Sequence, residues 1–360
     1  MPVDFISNPW RKTGLKDQSE LAAGTVETDA RAALALYAQC PVKHTTELRS
    51  SPALAEQAKV AEVWLKMEDQ RMGLGSFKAL GAAYAIAKLA AKKAGPGASR
   101  DALETALEGV TFICASAGNH GLSMAAGARL FGANAVVLLS DTVPEGFADR
   151  LRDKGAVVER AGADYEASMA ASKQMAEENG WNLLSDGSWI GYSDPPRDVM
   201  EGYLIMGHEV ADQIAQPPTH VFLQAGVGGL AASCTVTARA CWGDDVQVVV
   251  VEPLWAPALI ESIKAGRCVD TSGPVSSMGR LDCKTPSHLA LKYLALEADY
   301  FVTIDDALVE DCVEHLKTLG VETTPSGAAG LAALINLDDP AKLGITDHSR
   351  VLCYISEGPA

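Results

Sequence analysis

The sequence has no excess of positive charge. Its 46 acidic residues outnumber 30 lysines and arginines, giving a formal net charge of -16, and no cluster of basic residues makes a local exception. Such a surface repels phosphate backbones, so nucleic acid is excluded as an expected partner. Long apolar runs are missing too: Ala135-Val136-Val137-Leu138-Leu139 is far too short to cross a bilayer. Met1-Pro2-Val3-Asp4-Phe5 has neither the basic nor the apolar region of a secretory leader, and the expectation is a cytoplasmic protein without membrane contact. Cys40, Cys114, Cys234, Cys241, Cys268, Cys283, Cys312 and Cys353 form no C-x-x-C pair and accompany no histidine set at zinc spacing. They are expected as small buried hydrophobes, with no metal and no disulfide framework. No polar linker divides the 360 residues, which predicts two intertwined lobes and not separate beads.

What is present is an alternation. Apolar runs of strand length occur at Val60 to Met67, Val110 to Cys114, Ala135 to Leu139, Ala156 to Val158, Val221 to Leu223, Val248 to Val251 and Val351 to Ile355. Between them lie alanine-rich stretches with helical spacing, including Phe77 to Lys93, Leu122 to Phe131 and Tyr165 to Asn179, the last followed by Gly180. Strands apolar on both faces predict mostly parallel, twisted sheets flanked by helices, an α/β fold. Two stretches read as surface connections: Lys93 to Arg100, with Gly95-Pro96-Gly97, and Gly191 to Arg197, with Asp194-Pro195-Pro196. They bracket a small inserted α/β domain over 102–190, leaving 1–101 and 191–360 as a large domain.

Four segments carry chemistry. Gly75-Ser76-Phe77-Lys78-Ala79-Leu80 puts a lysine in the first turn of a helix, with Ser76 as the candidate N-cap. The positive end of the helix dipole disfavours a cation there, which predicts the lowered pKa that a Schiff-base or proton-abstracting lysine needs. Taken alone, the segment is better explained by a solvated lysine on a helix face. Ala115-Ser116-Ala117-Gly118-Asn119-His120-Gly121 joins a strand to a helix, and its small residues leave backbone N–H groups open toward a carboxylate. Asn119 serves there either as a helix cap or as an amide holding a phenolic oxygen.

Gln224-Ala225-Gly226-Val227-Gly228-Gly229-Leu230 follows a strand and opens a helix, a phosphate cradle built from glycines and a helix N-terminus. It lacks the Gly-Lys-Ser/Thr of a Walker loop, and Ala231 breaks G-x-G-x-x-G. Tyr354-Ile355-Ser356-Glu357-Gly358 ends the last strand with a hydroxyl at the carboxyl edge of the sheet.

In this order the four segments resemble the fold type II pyridoxal-phosphate enzymes, a family that includes threonine dehydratase, serine racemase and cysteine synthase. Within it the chain looks like the diaminopropionate ammonia-lyases over nearly its whole length. That closer match is carried by Lys66-Met67-Glu68-Asp69, Gly118-Asn119-His120-Gly121, Asp186-Gly187-Ser188-Trp189-Ile190-Gly191-Tyr192, Met200-Glu201-Gly202-Tyr203 and Val251-Glu252-Pro253. The resemblance implies a two-domain fold like that of the tryptophan synthase β chain, a homodimer, pyridoxal 5'-phosphate as cofactor and a small amino acid as substrate. It implies that Lys78 carries the cofactor as a Schiff base with Phe77 walling the ring. Asn119 would contact the ring's O3′, Gly226, Val227, Gly228, Gly229 and Leu230 the phosphate, and Ser356 the pyridine nitrogen. Substrate contacts would come from Ser116, Ala117, Gly118, His120 and Tyr165, with Asp186 catalytic beside Lys78.

A serine at the pyridine nitrogen, in place of a carboxylate, does not enforce ring protonation and suits β-elimination over transamination. The resemblance therefore implies release of pyruvate and ammonia from 2,3-diaminopropionate. Two departures bear on this. The ammonia-lyases have an aspartate, credited with the D-isomer, where this chain has Ala117; Asp186 matches the aspartate credited with the L-isomer, so L-substrates are expected. Thr324-Pro325-Ser326-Gly327-Ala328 lacks the glutamate that relatives place shortly before Gly-Ala, which leaves the polar network at the ring in question. Arg280 and Lys284 are either solvated loop charges or recognise an acidic substrate. The alternatives are a dehydratase of serine, threonine or a β-hydroxy amino acid such as 3-hydroxyaspartate, and a protein that binds pyridoxal phosphate without catalysis.

Overall fold

The computed structural model describes residues 4–359. Its strands are β1 (Asp4–Ser7), β2 (Leu48–Ser50), β3 (Glu62–Met67), β4 (Thr111–Cys114), β5 (Asn134–Leu139), β6 (Val157–Arg160), β7 (Asn182–Leu183), β8 (His220–Gln224), β9 (Gln247–Pro253), β10 (Tyr300–Ile304) and β11 (Arg350–Ile355). They form a seven-stranded sheet in the order β1-β10-β9-β8-β11-β3-β2 and a four-stranded sheet in the order β6-β5-β4-β7. β1 and β2 are antiparallel edges; all other pairings are parallel. The fold is thus α/β with two mostly parallel sheets. In the middle of the large sheet, Val221 to Leu223, Val248 to Val251 and Val351 to Cys353 are wholly buried, because helices cover both faces.

Each run expected as a strand overlaps one, with bounds that differ by one or two residues. β10 and the short β1, β2 and β7 were not anticipated; β1, β2 and β7 are edge or two-residue strands that leave little apolar signal, whereas β10 is an interior strand whose apolar run Tyr300–Ile304 was overlooked. The segment at Asp194-Pro195-Pro196 is not a surface connection. It is the first turn of the helix Asp194–Gln213, where proline's missing N–H costs no intrahelical bond and its fixed φ suits the helix. Cys241 is exposed and Cys40, Cys268 and Cys283 are half-buried, so only Cys114, Cys234, Cys312 and Cys353 are buried as expected.

Beneath the end of β3 lies a buried charge cluster. Lys66 Nζ is 2.7 Å from Glu209, and Arg71 bridges Glu209 at 2.6 Å and Glu68 at 2.7 Å. Two cations and two carboxylates balance, and Thr46 Oγ1 donates to Glu68 at 2.8 Å. Burial pushes the Glu209 carboxyl up, but Arg71 and Lys66 outweigh it and hold the pKa below the ordinary range. Its contribution to stability is therefore full above the unfolded carboxylate pKa and is lost as pH falls through the lower folded value. Glu209→Gln leaves two buried cations facing one carboxylate and is expected to cost about 3–5 kcal/mol. Urea unfolding of variant and parent at neutral pH checks this, and the difference should shrink in acid.

Candidate active site

The carboxyl ends of β3, β4, β8 and β11 lead into the segments that carry Lys78, Ser116, Gly226 and Ser356, and the chain reaches Asp186 shortly after β7. Carboxyl ends of parallel strands are where α/β sheets place ligands. After β3 the chain makes a 3-10 turn at Arg71–Gly73 and reaches Ser76, which is extended and accepts a hydrogen bond from the Lys78 N–H at 3.3 Å. Ser76 thus caps a 3-10 turn, Phe77–Leu80, that runs into the helix Gly81–Ala94. The turn is clasped to the chain's last strand: Phe77 N–H donates to Ser356 O and Gly358 N–H to Gly75 O, both at 3.0 Å.

Lys78 Nζ lies 2.5 Å from Asp186 Oδ2. Burial pulls the lysine's pKa down, but the Asp186 carboxylate more than offsets it, so Lys78 stands above its ordinary value. Burial likewise pushes Asp186 up, yet Lys78 beside it holds the carboxyl well below the usual range. The lowered lysine pKa expected from the helix dipole is therefore corrected. A full charge at contact outweighs a partial one, and it arrives from 108 residues away.

Asp186 is held by a clasp from the Trp-x-Gly-Tyr segment. Trp189 and Tyr192 stack with centroids 4.2 Å apart, and the Tyr192 hydroxyl accepts from Ser185 N–H at 3.0 Å and donates to Leu183 O at 2.9 Å. Ser188 and Ser287 hydroxyls meet at 2.7 Å, and Ser287 N–H donates to Val227 O at 3.0 Å, tying this segment to the glycine loop.

The helix Asn119–Leu130 starts after Gly118, so Asn119 is not its cap. Gly121 has no alternative: a Cβ there would lie 2.1 Å from the Ser116 carbonyl oxygen. That contact folds the first helical turn back on Ser116, while Ser116, Ala117 and Gly118 stay half-buried. His120 Nε2 is 2.9 Å from Leu184 O and so carries the proton, and burial lowers the imidazole's pKa, keeping it neutral. Tyr165 opens the helix Tyr165–Asn179; its ring is exposed, and its phenol lies within the field of Asp186 and Lys78.

The loop Gly226 to Leu230 leads into the helix Gly229–Trp242. Gly228 has φ +100, which favours glycine, and a Cβ on Gly226 would lie 3.0 Å from Cys283 Sγ. Among the described residues, the N–H groups of Gly226, Gly228, Gly229 and Leu230 have no hydrogen-bonded protein acceptor, which makes a cup of donors at a helix N-terminus. Ser356 Oγ accepts from Gln224 Nε2 at 3.0 Å, leaving its own proton free to donate.

Sequence reasoning missed Glu357. Its buried carboxylate accepts from Asn119 Nδ2 at 2.7 Å and from the Thr324 hydroxyl, and pairs with Arg280 at 3.0 Å. The network left in question by the Thr324 to Ala328 segment is thus intact, with its carboxylate supplied from 357 and a hydroxyl from 324. Arg280 is neutralised there. Lys284 spends its donors on Asp282 and Trp255 O, both at 2.6 Å, and Pro274 O at 3.0 Å, so it braces loops and is no free substrate cation.

Residues 41–357 match the family model described as pyridoxal-phosphate dependent enzyme. The chain is 30% identical over 306 residues to diaminopropionate ammonia-lyase of Escherichia coli K12, covering 80% of this chain and 76% of that one. It is 27% identical to the mouse L-serine dehydratase/L-threonine deaminase, covering 87% and 85% of the two chains. The crystal structure of the Escherichia coli diaminopropionate ammonia-lyase in complex with D-serine superposes with a TM-score of 0.87 at 27% identity, over 99% of this chain and 94% of that one.

The site fits such a cofactor on its own features. Among the described residues, the buried side-chain polar atoms without a partner are His120 Nδ1, the Tyr203 hydroxyl and Gln224 Oε1. His120 and Gln224 belong to the segments that converge here, and Tyr203, on the helix Asp194–Gln213, packs against Phe77. The Tyr203 hydroxyl, the glycine cup and the free proton of Ser356 are donors suited to a ligand that has an anionic end and a ring nitrogen.

Proposed function

Because the chain belongs to the pyridoxal-phosphate-dependent enzymes of fold type II, we propose that it eliminates ammonia from the β-carbon of L-2,3-diaminopropionate or a close β-substituted L-amino acid. The observation that carries this reading is the Lys78–Asp186 pair at 2.5 Å, with alanine at 117. When bound, pyridoxal phosphate withdraws electrons from the substrate's Cα and makes its proton removable.

The protein's part is positioning and proton handling. Lys78 would hold the cofactor covalently and, as a free amine, would be the base at Cα. Asp186 fixes Nζ and receives positive charge on its side of the site. The N–H groups opening the helix Asn119–Leu130 bind the α-carboxylate, with Ser116 and Gly118 at the turn. Asn119, oriented by Glu357, and Ser356 would hold the cofactor's ring through their side chains, and Phe77 would wall it.

The charges favour an amino leaving group. A β-ammonium departs as neutral ammonia without a further proton, whereas a hydroxyl needs a donor. Recognition of 3-hydroxyaspartate would call for a cation, and both cations singled out for that task are engaged. The eliminated product takes up water and gives pyruvate, so one diaminopropionate and one water yield pyruvate and two ammonia.

A second reading, dehydration of L-serine or L-threonine, is supported by the kinship with the mouse dehydratase and by Ala117. The reading also includes a division at 102–190 and a cytoplasmic homodimer, and a solution mass of twice the chain mass checks the latter. Among the described residues no helix is long and apolar enough to cross a membrane.

The test follows 2-oxo acid release from L- and D-diaminopropionate, L-serine, L-threonine and L-threo-3-hydroxyaspartate. L-diaminopropionate should be the best substrate, with the D-isomer at least about tenfold slower, a difference of about 1.4 kcal/mol in barrier. Equal turnover of the D-isomer would overturn the stereochemical reading, and a preferred hydroxy amino acid would replace the lyase by a dehydratase.

A further inference from the structure

Tyr203 lies on the helix Asp194–Gln213, fully buried, and its hydroxyl has no partner among the described residues. A buried phenol without an acceptor is costly, so the group points to a ligand atom. Its ring is fixed from three sides. Phe77 packs against it with centroids 4.9 Å apart. A Cβ placed on Gly81 would lie 2.7 Å from the hydroxyl oxygen, and one on Gly229 would lie 3.6 Å from Cε2. The ring therefore stands between the first residues of the helices Gly81–Ala94 and Gly229–Trp242.

Gly229 belongs to the glycine cup, whose N–H groups also lack acceptors. Backbone donors and a phenolic donor at helix starts suit one anionic acceptor. The nearby charges do not take its place: Lys78 and Asp186 act on the phenol electrostatically, but they are bonded to each other.

We propose that the Tyr203 hydroxyl donates a hydrogen bond to the cofactor's phosphate, adding a side chain to a cup otherwise made of backbone. This inference rests on the cofactor and is independent of which amino acid is the substrate. Tyr203→Phe removes the donor and keeps the ring against Phe77, Gly81 and Gly229.

The apoprotein of parent and variant is titrated with pyridoxal 5'-phosphate, with pyridoxal lacking the phosphate, and with inorganic phosphate as competitor. Tyr203→Phe should weaken binding of the phosphorylated cofactor by about 10- to 100-fold, the range of a hydrogen bond to a charged group. Binding of pyridoxal should be unchanged, and inorganic phosphate should compete less well. Equal loss for both cofactor forms, or no loss for either, would overturn the proposal. Should the variant not fold, a crystal structure of the parent holoenzyme decides: the hydroxyl belongs within hydrogen-bond distance of a phosphate oxygen, and any longer separation refutes it.

Discussion

Lys78→Ala should lose at least about a thousandfold in turnover, because one substitution removes both the cofactor's covalent anchor and the base at Cα. The variant should still fold. The lysine is half-buried at the cleft, and the turn is held by backbone bonds from Phe77 and Gly358 that do not involve its side chain. Removing it leaves Asp186 buried without its cation, so a modest fall in stability is expected and should be larger at neutral pH than in acid. Added methylamine or another small amine can fill the space of the missing ammonium and should restore part of the activity. Unchanged turnover in the alanine variant would dismantle the assignment of the whole site.

Asp186→Asn is expected to reduce turnover of the L-substrate by about 10²- to 10⁴-fold, the usual weight of a group that sets proton transfer. Its more diagnostic effect is on pH. In the parent, the carboxylate overcomes burial and raises the Lys78 pKa. With asparagine, burial loses its main opponent and the lysine pKa falls, so the free amine is available at lower pH. The profile for capture of pyridoxal phosphate by the apoprotein should therefore move toward acid. An unmoved profile would show that Asp186 does not govern Lys78. Rescue by Glu at 186 is not expected, since the Ser185 N–H to Tyr192 clasp fixes where the side chain starts and an added methylene displaces the carboxylate.

Much of this architecture was legible in the sequence. The valines of β9 and the apolar run of β11 give continuous patterns because those strands are covered on both faces, and Ser76 precedes its turn as a cap should. Lys78, Asn119, the glycine loop and Ser356 could be singled out because each sits where a strand ends and the chain turns. The helix at Asp194 was misread because two prolines signal a turn as readily as a first helical turn, and only packing decides between them.

Glu357 and the raised pKa of Lys78 were out of reach for another reason. Residues 119, 280, 324 and 357 meet only in three dimensions, as do 78 and 186. A lysine seen with its own helix faces a positive dipole end, whereas in the folded protein it faces a carboxylate. The signal that pointed toward Glu357 was the missing glutamate near 324: a polar network short of a carboxylate must find one elsewhere.

Borohydride reduction of the enzyme loaded with pyridoxal phosphate, followed by peptide mapping, tests the central claim most directly. The reduced cofactor should be recovered on one peptide, attached to Lys78. Attachment to another lysine, such as Lys66 or Lys88, or no attachment, would contradict it.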